Sequence, residues 1–126
     1  MSPKVQLAIS FVQANGHRAL RSAEIAQSVE LSSSRLFDLF KAELGVSPFQ
    51  YQKRARLERA RQLLERTLSN IKVIAADVGY SDGSHFMRDF KEAYGRTPTK
   101  YRVVYLSRRT SERSDDEGTV SLASKQ

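Results

Sequence analysis

The 126-residue chain contains no cysteine and no tryptophan, only three prolines and two histidines, and no long apolar run. Without cysteine there is no disulfide, no thiolate nucleophile and no Cys-based zinc site. His17 and His85 are too few for a histidine metal cage, so neither a metal nor a cofactor is expected. A stretch of about 18 apolar residues is missing, as is a signal-peptide core, which implies a soluble cytoplasmic chain without a membrane span. No Ser/His/Asp order, Gly-rich phosphate loop or carboxylate pair stands out, so enzymatic chemistry is not expected. Acidic residues are also in deficit, and unevenly so. Residues 1–105 hold 17 Lys/Arg against 10 Asp/Glu, whereas residues 106–126 hold 4 against 4, for a formal net charge of +7 overall. The basic part is the part with apolar periodicity, and a basic compact domain favours a polyanionic partner such as nucleic acid or an anionic membrane surface.

What is present is internal repetition. Phe40-Lys41, Gly45, Pro48 and Tyr51 return as Phe90-Lys91, Gly95, Pro98 and Tyr101, at a constant offset of 50 residues. Upstream, Ile25-Ala26, Val29 and Leu31 return as Ile74-Ala75, Val78 and Tyr80 at an offset of 49, so one residue is inserted at a turn of the second copy. Such spacing within one chain marks one supersecondary unit used twice.

Helical periodicity predicts all-α structure of about seven helices, and no segment alternates with period two. Val5, Ala8, Ile9 and Val12 form the stripe of a first helix over about Pro3 to Ala14, stopped by Asn15-Gly16. Ser22 is placed to cap a second helix with Ile25, Ala26 and Val29 inside, and Ser32 or Ser33 to cap a third carrying Leu36, Leu39, Phe40 and Leu44 and ending at Gly45. Ser47-Pro48-Phe49-Gln50 combines a serine cap, proline at the first helical position and glutamine where a capping box needs it. A long helix follows to about Arg66, rich in arginine, with Ala60, Leu63 and Leu64 facing a core. Helices over about Asn70–Val78 and Asp82–Tyr94 repeat the pair, with Phe86, Phe90 and Ala93 inside. A last helix starts at Thr97-Pro98 and runs through Tyr101 and Val104. The predicted organisation is a 1–106 domain, comprising a first helix-turn-helix unit over 3–47, a linker helix over 48–66 and a second unit over 69–106. Residues 107–126 lack apolar periodicity and are expected to form a flexible tail.

At 100° per residue the buried stripes fix the outward faces. In the third helix Ser34, Asp38 and Lys41 point away from the core, with Arg35 and Phe37 flanking. In the sixth, Ser84, Arg88 and Lys91 point away, with His85 and Met87 flanking. Each is the second helix of a helix-turn-helix pair, the element that enters the major groove of double-stranded DNA. A linker helix of about 18 residues spans about 27 Å, against about 34 Å between successive groove faces, so both helices can reach adjacent grooves.

The run Ile74-Ala75-Ala76-Asp77-Val78-Gly79-Tyr80-Ser81-Asp82-Gly83-Ser84-His85-Phe86, continued by Phe90-Lys91, Tyr94-Gly95, Thr97-Pro98 and Tyr101-Arg102, resembles the DNA-binding domain of the AraC/XylS transcription regulators. Leu44 to Pro48, Tyr51 and the Arg-Leu-Glu-Arg-Ala-Arg run from Arg56 resemble that family's first unit and linker helix. The resemblance implies sequence-specific binding to promoter DNA and, usually, activation through RNA polymerase, at the nucleoid in the cytoplasm of a bacterium. It also implies an effector-binding domain, absent from this chain, unless the chain is a stand-alone member. Carried over by position, the base-reading residues fall on Ser34, Arg35, Phe37 and Asp38 and on Gly83, Ser84, His85 and Arg88.

Each assignment has a plainer alternative. Arg88 can read guanine, or pair with Asp89 or Glu92 on its own helix. Asp38 can accept from a cytosine amino group, or pair with Lys41 or Arg35. Phe37 is expected to pack on a neighbouring helix rather than touch a thymine methyl, His85 to be structural or to contact phosphate rather than bind metal, and most linker-helix arginines to form a solvated face. The alternative for the whole domain is a helical protein-interaction module whose charge serves solubility.

Overall fold

In a computed structural model, the backbone is described for residues 1–120 and the side chains for residues 1–111. The chain order is α1 (Pro3–Ala14), α2 (Ser22–Ser28), α3 (Ser33–Leu44), α4 (Pro48–Arg66), α5 (Ile71–Asp77), α6 (Gly83–Tyr94) and α7 (Pro98–Val120), with no strand among the described residues.

Local chemistry explains most boundaries. The side-chain oxygens of Ser2, Ser32, Ser47 and Asn70 accept the backbone N–H three residues on, and Asp82 accepts that of Ser84, so five helices begin at side-chain caps. Gln50 returns the favour to Ser47, completing a capping box at α4. The expected Ser22 cap is displaced by one residue: Arg21 is the capping position, and its N–H donates to Glu24 Oε1 at 3.0 Å. Gly45 and Gly95 end α3 and α6 in the left-handed region.

Packing repeats as the sequence does. Leading helix α1 presents Val5, Ala8 and Val12 to the first pair, and α4 presents Leu57, Ala60 and Leu64 at the same i, i+3, i+7 spacing to the second. The first core closes over Leu36 and Phe40 with Tyr51 of α4, and the second over Phe86 and Phe90 with Tyr101 of α7. Helix α4 is long because it has two duties. Its first half closes unit one, and its second half opens unit two.

Two expectations are corrected, and one helix runs further than expected. Ala93 is exposed, because it overhangs a groove along α4 lined by Arg54, Leu57 and Glu58 while its neighbour Tyr94 takes the place on the core. Arg56 is buried, not part of a solvated face, because the turn of the second unit covers that part of α4. The last helix, expected to run through Val104, continues in α7 through Val120, and residues 121–126 of the expected tail fall outside the described residues. Residues 107–111 are exposed and touch no core, and Arg109 Nη1 donates to Tyr105 Oη one turn back at 3.3 Å. Local bonding continues that helix where no burial does.

Candidate nucleic-acid interface

The caps at Ser32 and Asp82 start α3 and α6 at equivalent points, so equivalent residues point outward. Ser34, Arg35, Phe37, Asp38 and Lys41 are all exposed on α3, as are Gly83, Ser84, His85, Met87, Arg88 and Lys91 on α6. Apart from His85, the charged side chains among these are not spent on the fold. Among the described residues, the side chains of Arg35, Asp38, Lys41, Arg88 and Lys91 make no hydrogen bond or ion pair. The pairings of Arg88 with Asp89 or Glu92, and of Asp38 with Lys41 or Arg35, are thus not formed. Phe37, expected to pack on a neighbouring helix, stands beside α2 and α4 but is only half covered by them. It is 48% exposed and lines a shallow cleft with Ser22, Ser34, Asp38 and Pro48. Gly83 stands at the first position of α6, where an added Cβ would meet nothing within 4 Å, so the fold itself sets no demand for glycine there.

His85 differs from its neighbours. Its Nε2 lies 3.3 Å from Asp89 Oδ2 and its ring meets Tyr80 edge-on at 5.4 Å. It therefore faces both outward and into a polar cluster that the sequence reading did not anticipate. Asp89 is buried on α6, accepts from Tyr80 Oη at 2.9 Å and has Lys53 Nζ at 3.8 Å. Burial first, then the bond to Asp89, pushes the Tyr80 phenol well above its ordinary range, so it remains a donor. The guanidinium of Arg56 stacks 4.6 Å over the Tyr80 ring and donates to Val78 O and Gln52 Oε1. Burial lowers the Arg56 pKa, opposed by Tyr80 and Asp89, and an arginine stays charged under any such shift. One signal for this cluster lay in the repeat. Tyr80 and Asp89 replace Leu31 and Leu39 of the first unit, an apolar pair exchanged for a hydrogen-bonding one.

On the far side of α4, Arg61 joins Glu58 to Glu65, and Tyr94 Oη donates to Glu58 at 3.1 Å. The Arg61 bonds hold Glu58 below the usual carboxylate range, with Tyr94 adding to them, and burial followed by the Glu58 charge pushes Tyr94 up to about 12. Arg102 of α7 donates to Leu64 O, Thr67 O and Ser69 O, capping the end of α4. These groups are structural. Arg35, Lys41, Arg88 and Lys91 are the unpartnered cations of α3 and α6, and among the described residues Arg54 and Arg66 of α4, Lys72 of α5 and Lys100 of α7 likewise make no side-chain hydrogen bond or ion pair. No described helix is long and apolar enough to cross a membrane.

The architecture is shared with known proteins. A helix-turn-helix domain family matches residues 25–103. The chain is 38% identical over 100 residues to the HTH-type transcriptional regulator ArgR of Pseudomonas aeruginosa, covering 79% of this chain and 30% of that regulator. A transcriptional regulator from Chromobacterium violaceum, described as an AraC-type DNA-binding domain-containing protein, superposes with a TM-score of 0.76 at 38% identity, covering 80% of this chain and 90% of the other. The DNA-binding domain of AdpA, solved with a target DNA, shares the fold at a TM-score of 0.81 and 21% identity, covering 86% and 98%. The chain spans about a third of the length of the curated relatives it matches, 30–38% for the first three. Those relatives are transcriptional regulators rather than enzymes. With two helix-turn-helix units on one chain, a family match over most of its length and a close fold likeness, the protein belongs to the AraC/XylS family as one of its DNA-binding domains.

Proposed function

We propose that this domain binds double-stranded promoter DNA as one chain, laying α3 and α6 in successive major-groove segments, and that it serves a transcription activator that engages RNA polymerase from the bound site. The observation that carries this reading is the duplicated outward face. Two equivalent helices present unpartnered cations on one outward face each, Lys41 and Lys91 at matching positions, with Arg35 added on α3 and Arg88 on α6 at the place of Asp38, on a basic domain. The linker helix has the right length, since its 19 residues span about 28 Å at about 1.5 Å each.

Roles divide by chemistry. Arg88 is the guanine reader, through a bidentate fork to O6 and N7, with Ser84 and His85 beside it. Lys41 and Lys91, one turn further along each helix, contact phosphate. In the first unit Ser34 and Arg35 read base edges, Phe37 meets a thymine methyl, and Asp38 selects cytosine by accepting from its amino group. Gly83 leaves room for the backbone of α6 to approach the duplex. An effector-binding domain, carried elsewhere in the full regulator, would control access to this surface, and the role places the protein at the nucleoid in the cytoplasm.

The test separates specificity from affinity. On the preferred duplex Arg88→Ala is expected to cost about 1–3 kcal/mol and relax one base position, whereas Lys41→Ala weakens binding to every sequence and flattens the salt slope by about one unit. Equal losses on specific and random DNA for both variants would refute the assignment of base readers.

A further inference from the structure

The two units touch through bare backbone. Gly79, in the turn between α5 and α6, has φ +89°, and a Cβ there would stand 2.7 Å from Arg18 Cα and 2.8 Å from Ala19 N. Its counterpart in the first unit is Glu30, which carries a side chain at φ 59°. The left-handed turn alone therefore does not demand glycine. The approach of the first unit's 18–20 segment does.

Around that contact runs an unbroken polar line from one unit to the recognition helix of the other. Leu20 N–H of the first unit donates to Gln52 Oε1 at 3.4 Å, and Arg56 Nε donates to the same oxygen at 3.1 Å. Arg56 Nη1 then donates to Val78 O at 3.0 Å, its guanidinium covers Tyr80, and Tyr80 donates to Asp89 of α6. Gln52, Arg56 and Asp89 are 1%, 6% and 6% exposed, so water cannot replace a broken link without opening the interface.

We propose that Arg56, Gln52 and Gly79 form a spacing lock. They fix the separation and rotational phase of α3 and α6, and so determine which distance between the two contacted DNA segments the domain accepts. This rests on the reading of α3 and α6 as the groove-entering helices. Arg56 and Gln52 act as positioning residues that touch no base. One inserted base pair displaces one segment from the other by about 3.4 Å and about 35°. A domain whose units are hinged could follow that change, and a locked one cannot.

The experiment uses duplexes carrying the selected site with one base pair deleted, none changed, or one or two inserted between the contacted segments. Binding is followed by fluorescence anisotropy at fixed salt. The wild-type domain is expected to lose about tenfold or more in affinity for each single-pair change, and Arg56→Met about threefold or less, with Arg56→Lys recovering part of the discrimination and Gly79→Ala moving the preferred spacing. An Arg56→Met protein that folds and keeps the wild-type spacing profile overturns the proposal, since the bridge would then serve stability alone.

A second measurement covers variants that do not fold. The chain has no cysteine, so Gln27→Cys and Lys72→Cys, exposed on α2 and α5, place two spin labels on an otherwise wild-type protein. The lock requires one narrow interlabel distance by pulsed electron resonance, unchanged when DNA is added. A broad or two-peaked distribution in the free protein overturns it. Failure of the wild-type domain to bind any duplex would instead remove the DNA reading, and the distance measurement would still judge the lock.

Discussion

The two helix-turn-helix units share one frame and differ at the places where a plain copy would not fit. In the first, Leu31 and Leu39 both pack against the apolar core and Glu30 takes the left-handed turn. In the second, Tyr80 and Asp89 occupy those places with a buried hydrogen bond, and Gly79 takes the turn. The first unit has helix α1 to cover it. The second must share α4 with its predecessor and seat its turn on the 18–20 segment, so it needs a polar surface that can meet a buried arginine and a turn without a side chain. Duplication supplied the frame, and the interface between copies required the departures from it.

The largest effect is expected from breaking the polar pair. Asp89→Leu restores the first unit's residue type but leaves the Tyr80 hydroxyl, His85 and Lys53 without their acidic partner, at a cost of about 1–3 kcal/mol in chemical denaturation. Adding Tyr80→Phe should make the double variant less destabilised than the sum of the singles by about 1 kcal/mol. Additive losses would mean that the pair contributes no coupling, and that the difference between the units is incidental.

Titration sharpens the contrast, because the raised phenols belong to the second unit. Tyr94 is held at about 12 against an ordinary 10.0, with Tyr80 and Tyr101 also raised. A phenol whose folded pKa exceeds its unfolded value contributes stability that is complete below the unfolded pKa and lost as pH rises through the folded one. Denaturant midpoints should thus hold up to about pH 10 and fall between about 10 and 12, with Tyr94 responsible for about 1 kcal/mol after allowance for solvent screening. In Tyr94→Phe that part of the alkaline loss should vanish. An unchanged pH profile would remove the Glu58–Tyr94 contact from the account.

Much of this was legible before any coordinates. The caps at Ser32 and Ser47, the stops at Gly45 and Gly95, and the stripes through Leu36, Phe40, Phe86 and Phe90 follow from local rules, and the outward faces of α3 and α6 follow from those stripes by geometry alone. Arg56 and Asp89 were not legible from periodicity, because a charged residue on a helix reads as solvated until the element covering it is known. Ala93 failed for the converse reason. Its angle on α6 is inward, but it overhangs an open groove along α4 rather than packed core. The continuation of α7 past Leu106 carries no apolar signal at all, since its side chains through residue 111 are exposed.

The smallest effect tests the turn. If the left-handed conformation at position 30 carries strain that the first unit tolerates only because no backbone approaches it, Glu30→Gly should stabilise by about 0.5 kcal/mol or leave stability unchanged. Gly79→Ala should destabilise clearly. Equal and opposite responses would not fit a turn whose glycine is demanded by contact rather than by φ.

The central claim, that one chain carries both halves of a DNA reader, is tested most directly by stoichiometry with footprinting on a selected site. Sedimentation of the complex, combined with hydroxyl-radical protection, is expected to show one chain per duplex and two protected segments about one helical turn apart, within about 20 base pairs. Two chains on each duplex, with every chain protecting a single segment, would contradict it.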